Sequence, residues 1–570
     1  MRRFHLRSLG KMAGLFLAGP IIATATQLSA AEVQSSSPST IEAVHGEYVV
    51  QLRKPHSAEE FALQARQRGM EVLEHLRSDL ILVRVSEQLV KKSKANRRLN
   101  SSTFQKLSTL QKLNSVAVAE PNYIYRATKL PNDPEIAKLW GLKNAGSADS
   151  AGTRGLPGID VGAEAAWDIH TGSKSVVVAV IDSGIDFTHP DLAPQAWVNE
   201  QELNGVAGVD DDGNGFVDDI NGFNFADNKG DSTDDQGHGT HCAGTIGAKG
   251  NDARGLVGVN WDVSLMAVKF LDKSGTGNLA NAIKSIDYAR KMGARIMSNS
   301  WGGGGQSAIL KQAIEDANKA GILFVAAAGN QTMNNDLTPT YPANYDVENI
   351  LSVAAIDNRG GLAPFSNYGQ KTVHVAAPGV NIFSTVLGGK YDSYSGTSMA
   401  APHVSGIAAL ILAHDSTLSH TGIKKRIIES ARPLYTLKNR VSSMGIVDAY
   451  YALSGLTPPL DPNDPSRLPN FQPYQLESDH PYKENTKFSH RIQIPGATRL
   501  AIKFSRFETE LGYDTVSFYD AAGILIGSMS GNQDDGIISP LIYGDTVVIK
   551  FQSDETVNSY GFAVESILFE

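Results

Sequence analysis

Apolar runs of five or six residues recur through the middle of the chain, at 176–181, 265–270, 295–299, 322–327 and 350–355. Between several of them lie longer stretches with apolar residues at helical spacing, at 279–292 and 308–320. Runs that stay apolar without alternating belong to strands buried on both faces. Strands of this kind alternating with helices predict an α/β fold with a mostly parallel sheet over residues 130–456. Sheets of that kind carry their chemistry beyond the C-terminal ends of the strands, where Asp182, Asn299 and Asn330 stand. Upstream, 47–52, 80–85 and 116–125 read as strands, with helices at 57–68 and in the basic stretch 86–113. This β-α-β-α-β order predicts a small ferredoxin-like α+β unit. Downstream, period-two alternation at 499–504, 515–519 and 546–551, between turns rich in Gly, Asn and Asp, predicts an all-β sandwich over 471–570. Five prolines in residues 457–470 mark a semi-extended linker before it.

Length and composition narrow the picture. At 570 residues the chain needs several cores, and 41% hydrophobic with 19% charged residues describes a folded, soluble protein. A net charge of −9 argues against a nucleic-acid binder, which needs a basic stripe. The single cysteine, Cys242, excludes an intrachain disulfide and shifts stabilisation to core size and bound metal. Arg2, Arg3, Arg7 and Lys11 precede an apolar run at 12–25, and small residues follow at Ser29, Ala30 and Ala31. This is the layout of a secretory signal peptide over 1–31, so a secreted protein with no stable membrane span after cleavage is expected, extracellular or held in the periplasm or at the cell surface. The α+β unit then lies where a removable pro-segment would, over 32–129.

The chemistry centres on Ser395-Gly396-Thr397-Ser398-Met399-Ala400-Ala401-Pro402-His403, a small-residue turn running into the apolar run 407–412. Ser398 falls in the first turn of that helix, where unpaired N–H groups and the dipole favour developing negative charge. A serine there is also a common cap, so partners must decide. A serine hydroxyl becomes nucleophilic only when a base takes its proton and a third group orients the base. Asp182 ends an apolar strand in Val180-Ile181-Asp182-Ser183-Gly184, and His238 sits between glycines in Gly237-His238-Gly239-Thr240-His241. Cys242, next in sequence, reads as a small buried residue under the histidine. A separate stretch, residues 210–219, alternates oxygen donors with glycine turns, and Asp210, Asp212, Asn214, the carbonyl of Phe216, and Asp218 or Asp219 suit one hard cation.

These three motifs, in the order Asp, His, Ser, resemble the subtilisin family of serine peptidases, and the resemblance extends over the whole 130–456 region. It implies a subtilisin-like three-layer domain whose triad is Asp182, His238 and Ser398, with Asn330 of Ala328-Gly329-Asn330 donating to the oxyanion. It further implies a secreted endopeptidase of broad specificity acting on proteins and peptides through an acyl-enzyme. Such an enzyme is made as a zymogen, is inhibited and assisted in folding by its own propeptide, and processes itself. Ser300, Trp301 and Gly302, with Ala327, Ala328 and Gly329, match the walls of the first specificity pocket. Thr340 matches its floor, and Gly275 lies on the edge that pairs with extended peptide. Structural Ca2+ is implied at 210–219 and at Asp191 with Asn251, and no organic cofactor. The 471–570 region resembles a CUB module without its usual cysteines, which places Glu510, Asp514 and Asp554 on that module's calcium ligands. A monomer is expected. Two rival readings are an α/β-hydrolase esterase, with His414 or His420 as its base, and a silent binding protein whose function lies in the C-terminal module.

Overall fold

The computed structural model describes residues 43–53, 58–68, 70–85, 113, 115–123, 130–533 and 536–570. The expected signal peptide, most of the basic helix at 86–113 and the segment 124–129 lie outside the described residues. Among the described residues no helix is long and apolar enough to cross a membrane.

The N-terminal unit is built from β1 (Ala43–Leu52), α1 (Ala58–Gln67), β2 (Met70–Arg77), β3 (Leu80–Val85) and β4 (Val116–Tyr123). They form an antiparallel sheet in the order β2-β3-β1-β4, the ferredoxin-like strand order. Strand β2 was not expected from the sequence. Apart from Met70 it is half-buried or exposed, and Glu71, Glu74 and Arg77 leave it no apolar run to read. It is an edge strand, where charge guards against further pairing.

The large domain is one sheet in the order β14-β15-β11-β10-β9-β8-β5-β7-β6, parallel throughout except for the two-residue β14. Its principal strands are β5 (Gly172–Asp182), β6 (Gly222–Asn224), β7 (Asp262–Lys269), β8 (Ile296–Asn299), β9 (Leu323–Ala327), β10 (Ile350–Ile356) and β11 (Val375–Pro378). The short β14 (Arg432–Pro433) and β15 (Gly445–Ile446) close one edge, and a hairpin of β12 (Ile382–Val386) and β13 (Lys390–Tyr394) stands apart from the sheet. Helices α2 (His238–Gly247) and α5 (Thr397–His414) join the core on one face, through Ala243, Ile246, Val404 and Ala408. Helices α3 (Leu279–Lys291) and α4 (Ala308–Lys319) cover the other through Ile286, Ala289, Ile314 and Ala317. Burial from both sides is why these strands read as unbroken apolar runs. Because β7 and β8 leave β5 in opposite directions, the strand order reverses at β5, and Asp182 ends that strand. A crevice at such a reversal is where open α/β sheets bind ligands.

The C-terminal region is the expected sandwich. One four-stranded antiparallel sheet runs β16 (Asn470–Glu477), β23 (Gly561–Phe569), β18 (Arg499–Glu508), β21 (Ile542–Tyr543), the other β17 (Lys487–Gln493), β22 (Thr546–Gln552), β19 (Thr515–Tyr519), β20 (Leu525–Met529), and Phe504, Phe507, Phe518, Phe551 and Phe562 fill the space between them. The proline-rich stretch before it is docked rather than loose. Asp461 is buried, and its carboxylate accepts from the Tyr435 N–H at 2.8 Å and the Asn463 N–H at 2.8 Å. Leu468 joins Ala501, Ile538 and Leu541 in a small apolar cluster against which Tyr435 packs.

Candidate active site

Asp182, at the end of β5, is fully buried, and its Oδ1 accepts from the Ser183 N–H at 2.7 Å and lies 2.8 Å from His238 Nδ1. Its Oδ2 is buried with no partner among the described residues. His238 opens α2. Asp234 sets that helix start, with one oxygen accepting from the Gln236 and Gly237 N–H groups and the other from the Thr240 N–H and hydroxyl. The glycines beside the histidine have a steric reason. A Cβ on Gly239 would lie 2.1 Å from the Gly184 carbonyl, so the loop after Asp182 touches the backbone of α2 directly. Burial pulls the His238 pKa down, but the adjacent Asp182 charge and hydrogen bond outweigh it and hold the imidazole well above its ordinary value.

Ser398 lies in the first turn of α5, as the sequence implied, and lines one cleft with His238, Asn330, Gln236, Tyr394 and Met399. The hydrogen bond its hydroxyl makes differs from expectation. It donates to the Ser300 carbonyl at 2.9 Å and makes no bond to His238. Pro402 explains the surroundings of Ser398. A proline inside a helix has no N–H for the carbonyl four residues back, and here that carbonyl belongs to Ser398. The Ser300 hydroxyl at 2.9 Å and the Cys242 thiol at 3.4 Å donate to it instead. Cys242 is fully buried, and burial raises its pKa, as suits a packed thiol rather than a second nucleophile.

Asn330 is held by a residue to which the sequence reading gave no role. The Thr397 N–H and hydroxyl both donate to Asn330 Oδ1 at 2.9 Å, which fixes the amide so that Nδ2 is its free donor edge. The signal was present in the same Gly-Thr-Ser turn, but only the structure shows which atom the threonine holds. The pocket residues also converge. A Cβ on Gly302 would lie 3.8 Å from the Thr340 methyl, and the Thr340 hydroxyl accepts from Asn367 Nδ2 at 3.1 Å. Asn367 Nδ2 also donates to the Ala328 carbonyl, and its N–H donates to the Gly329 carbonyl. Ala327 ends β9, and Trp301 packs edge-on against Phe270 at 4.9 Å. Gly275, at φ +76°, lies closest to Gln236, which accepts from the His238 N–H at 2.8 Å. The rival bases stand elsewhere: His420 Nε2 is bonded to Asn318 at 2.7 Å, and the His414 ring packs on His170.

The acidic loop is rearranged relative to the sequence reading. Carboxylate oxygens of Glu202, Asp212 and Asp219 lie within 4.8 Å of one another. Glu202, on a one-turn helix Glu200–Leu203 remote from the motif, was not foreseen. Asp210 accepts from the Asn214 and Gly215 N–H groups and Asp218 from the Gly208 N–H, while both Glu202 oxygens accept from the Asp211, Asp212 and Asp218 N–H groups, so loop N–H groups brace all of these acids. Asn214 Oδ1 accepts from the Phe216 N–H, and the Phe216 ring packs among Phe223, Phe225 and Tyr288. Burial pushes the Asp219 pKa up to about 6. Loop N–H groups donate to Glu202, the Asn199 and Asn214 amides to Asp212 and Asp219, and the Tyr288 hydroxyl to Asp219, and three carboxylates this close suit a divalent ion.

At the second expected site, Asp191 Oδ2 accepts from the Leu256 N–H and the Tyr391 hydroxyl, while Oδ1 is buried and unpartnered. The Asn251 N–H donates to Asp133 at 2.7 Å, and Asp252 is an acid whose charge bears on both Asp191 and Asp133. In the sandwich Glu510, Asp514 and Asp554 converge within 4.8 Å, and Glu510 Oε2 is buried without a partner. The Glu202 and Glu510 clusters fit a hard cation.

Comparison with known proteins agrees with this geometry. The subtilase family profile matches residues 173–452. A thermophilic serine proteinase of Bacillus sp. strain AK1 is 35% identical over 374 residues, covering 65% of this chain and 78% of that one. The chain belongs to the subtilase family. This subtilase is also 38% identical over 299 residues to subtilisin-like protease 1 of Plasmodium berghei, across 49% of its own length and 50% of that relative. It therefore spans about half the length of the Plasmodium relative. A solved protease of Pseudoalteromonas arctica PAMC 21717 aligns at 28% identity over 57% of the chain and 99% of that structure, with a TM-score of 0.47. Residues 472–565 match the CUB domain profile. The mostly parallel α/β domain and the following sandwich are thus those of a subtilase with a CUB domain.

Gly239→Ala tests the backbone contact beneath the histidine. Its methyl would have to displace the Gly184 carbonyl, so kcat/KM for a peptide substrate should fall by about two orders of magnitude, as expected when catalytic groups move by about 1 Å. Circular dichroism should remain that of the folded protein.

Proposed function

We propose that this subtilase is a secreted serine endopeptidase of broad specificity, made as a preproprotein that cleaves itself between Tyr125 and Asp133. The observation that carries the reading is one cleft that joins the 2.8 Å Asp182–His238 pair, the helix-start Ser398 and an Asn330 amide locked by Thr397. In the reaction Ser398 turns from the Ser300 carbonyl toward the cleft, neutral His238 takes its proton, and Oγ attacks the scissile carbonyl. Asn330 Nδ2 and the Ser398 N–H receive the oxyanion. His238 passes the proton to the leaving amine, and water then releases the acyl group by the same route reversed. Asp182 keeps the imidazole in the tautomer that presents Nε2 as the base. Thr340 offers no charge at the pocket floor, which supports acceptance of varied side chains. The 273–277 edge supports reading of the substrate main chain. The pro-segment would act as intramolecular inhibitor and folding aid. Glu202, Asp212 and Asp219 would hold Ca2+, with further ions at Asp191 with Asn251 and at Glu510, Asp514 and Asp554. There the ion supplies structural charge neutralisation, not chemistry.

Ser398→Ala should lower turnover on unfolded protein by about three or more orders of magnitude and leave the pro-segment attached, as read by N-terminal sequencing. Wild-type turnover, or a processed N-terminus in the purified variant, would sink the assignment. The His238 shift sets the pH profile. The base works only when neutral, so kcat/KM should rise with pH through a limb above the ordinary imidazole value of 6.5. Asp182→Asn removes the charge that raises it, so that limb should move down while the rate falls about 10⁴-fold. For the cation, chelation should lower the melting temperature by roughly 5 °C or more, from about 2–3 kcal/mol of native-state binding. The drop should shrink in Glu202→Gln; an unchanged melting temperature on chelation would remove calcium from the account.

A further inference from the structure

Lys269, the last residue of β7, is among the most buried large side chains of the protein, at 1% exposure. A buried ammonium is costly unless every donor is used, and here all three are. Nζ donates to the Ser183 carbonyl at 2.8 Å, the Leu271 carbonyl at 2.8 Å and Asp235 Oδ1 at 2.7 Å. Each acceptor belongs to a different arm of the site. Ser183 follows Asp182, Asp235 lies three residues before His238, and Leu271 begins the segment that leads to Gly275. Lys269 also stands directly opposite Asp182 in the β5–β7 register, and the Phe270 and Leu271 N–H groups both donate to the Asp182 carbonyl. The arms are also tied in pairs, for the Gly239 N–H donates to Ser183 Oγ at 2.9 Å, the Asp186 N–H to the Thr240 hydroxyl at 3.0 Å, and Gly184 touches Gly239 beside the Asp182–His238 bond, but Lys269 Nζ reaches all three arms at once.

We propose that Lys269 is a positioning residue whose ammonium fixes the Asp182 loop, the His238 approach and the peptide-binding edge in one arrangement. It touches neither substrate nor the reacting atoms, and acts by holding the Asp182–His238 bond in line. The ammonium has three directed donors, so its loss frees all three segments together. Loss of the half-exposed Asp235 frees only the histidine arm. The inference rests on the peptidase reading above, and its test keeps the two apart.

The full-length enzyme and its Asp235→Ala, Asp235→Asn and Lys269→Met variants are titrated with a fluorophosphonate that labels Ser398, and kcat is expressed per labelled site on a short chromogenic peptide. Asp235→Ala should lower kcat about tenfold with KM within about twofold, since misplacement of the catalytic groups falls on the transition state. Asp235→Asn keeps an acceptor at Oδ1 and should restore kcat to within about twofold of the wild type. Lys269→Met should lose at least as much as Asp235→Ala, and if it fails to fold the Asp235 pair decides alone. A merely structural role would lower the fraction of labelled sites and leave kcat per site unchanged. That result in Asp235→Ala would overturn the role of Lys269, whereas absence of labelling in the unsubstituted enzyme would overturn the peptidase reading itself.

Discussion

A carboxylate with no exposed surface must meet an imidazole from another segment, and the rest of the site depends on that meeting. Burying the Asp182 charge is unfavourable unless donors reach it, and the Ser183 N–H and the His238 ring supply them. Bringing His238 that close needs two backbones in contact, hence glycine at Gly184 and Gly239. It also needs a helix start held in place, hence Asp234 with four hydrogen bonds. The reversal of strand order at β5 puts this junction at the mouth of a crevice rather than inside a layer. Fold topology, local capping and the electrostatics of the histidine are therefore one linked arrangement.

The serine side follows from a deliberate defect in a helix. Helix α5 is almost wholly buried, so an orphaned carbonyl in its first turns would cost about 1–3 kcal/mol. Pro402 creates such an orphan at Ser398, and Ser300 with Cys242 fill it from the neighbouring strand end and from α2. The same two residues thereby lock the first turn of α5 to the end of β8 and to α2, which carries His238. Thr397 performs the matching task for Asn330. Cys242 thus has a packing reason to sit beside the histidine, and burial keeps its thiol protonated.

Much of this was legible in the sequence, and the exceptions share a cause. Strands buried on both faces announce themselves as apolar runs, so β5, β7, β8, β9 and β10 lay within a few residues of expectation. Strand β2 did not, because an edge strand carries charge in place of alternation. Asp182 and His238 stand in turns whose glycines have a steric reason, a Cβ on Gly184 meeting the Ser232 carbonyl at 2.5 Å and one on Gly239 the Gly184 carbonyl at 2.1 Å, whereas Gly396 before Ser398 has room for one. Lys269, Thr397 and Glu202 were not readable in their roles. A lysine after an apolar run looks like a solvated strand end, and nothing local says that its ammonium turns inward. Glu202 joins Asp212 and Asp219 only through the folded chain. Sequence shows which residues carry oxygen, and only the backbone path shows which carboxylates meet.

That distinction decides what the acidic clusters do for stability. Without a cation, Asp219 binds its proton more tightly in the folded protein, at about 6, than in the unfolded chain, near 3.8. Raising pH across that interval therefore removes stability, because the unfolded state ionises more readily. A divalent ion reverses the sign, since it binds the ionised carboxylates and only where the fold brings them together. Glu202, Asp212 and Asp219 are then a liability in one state and a tie in the other. The chain has one cysteine and so no intrachain disulfide. In such a chain, buried carboxylates clustered in this way are most economically read as cross-links that close only when the ion is present.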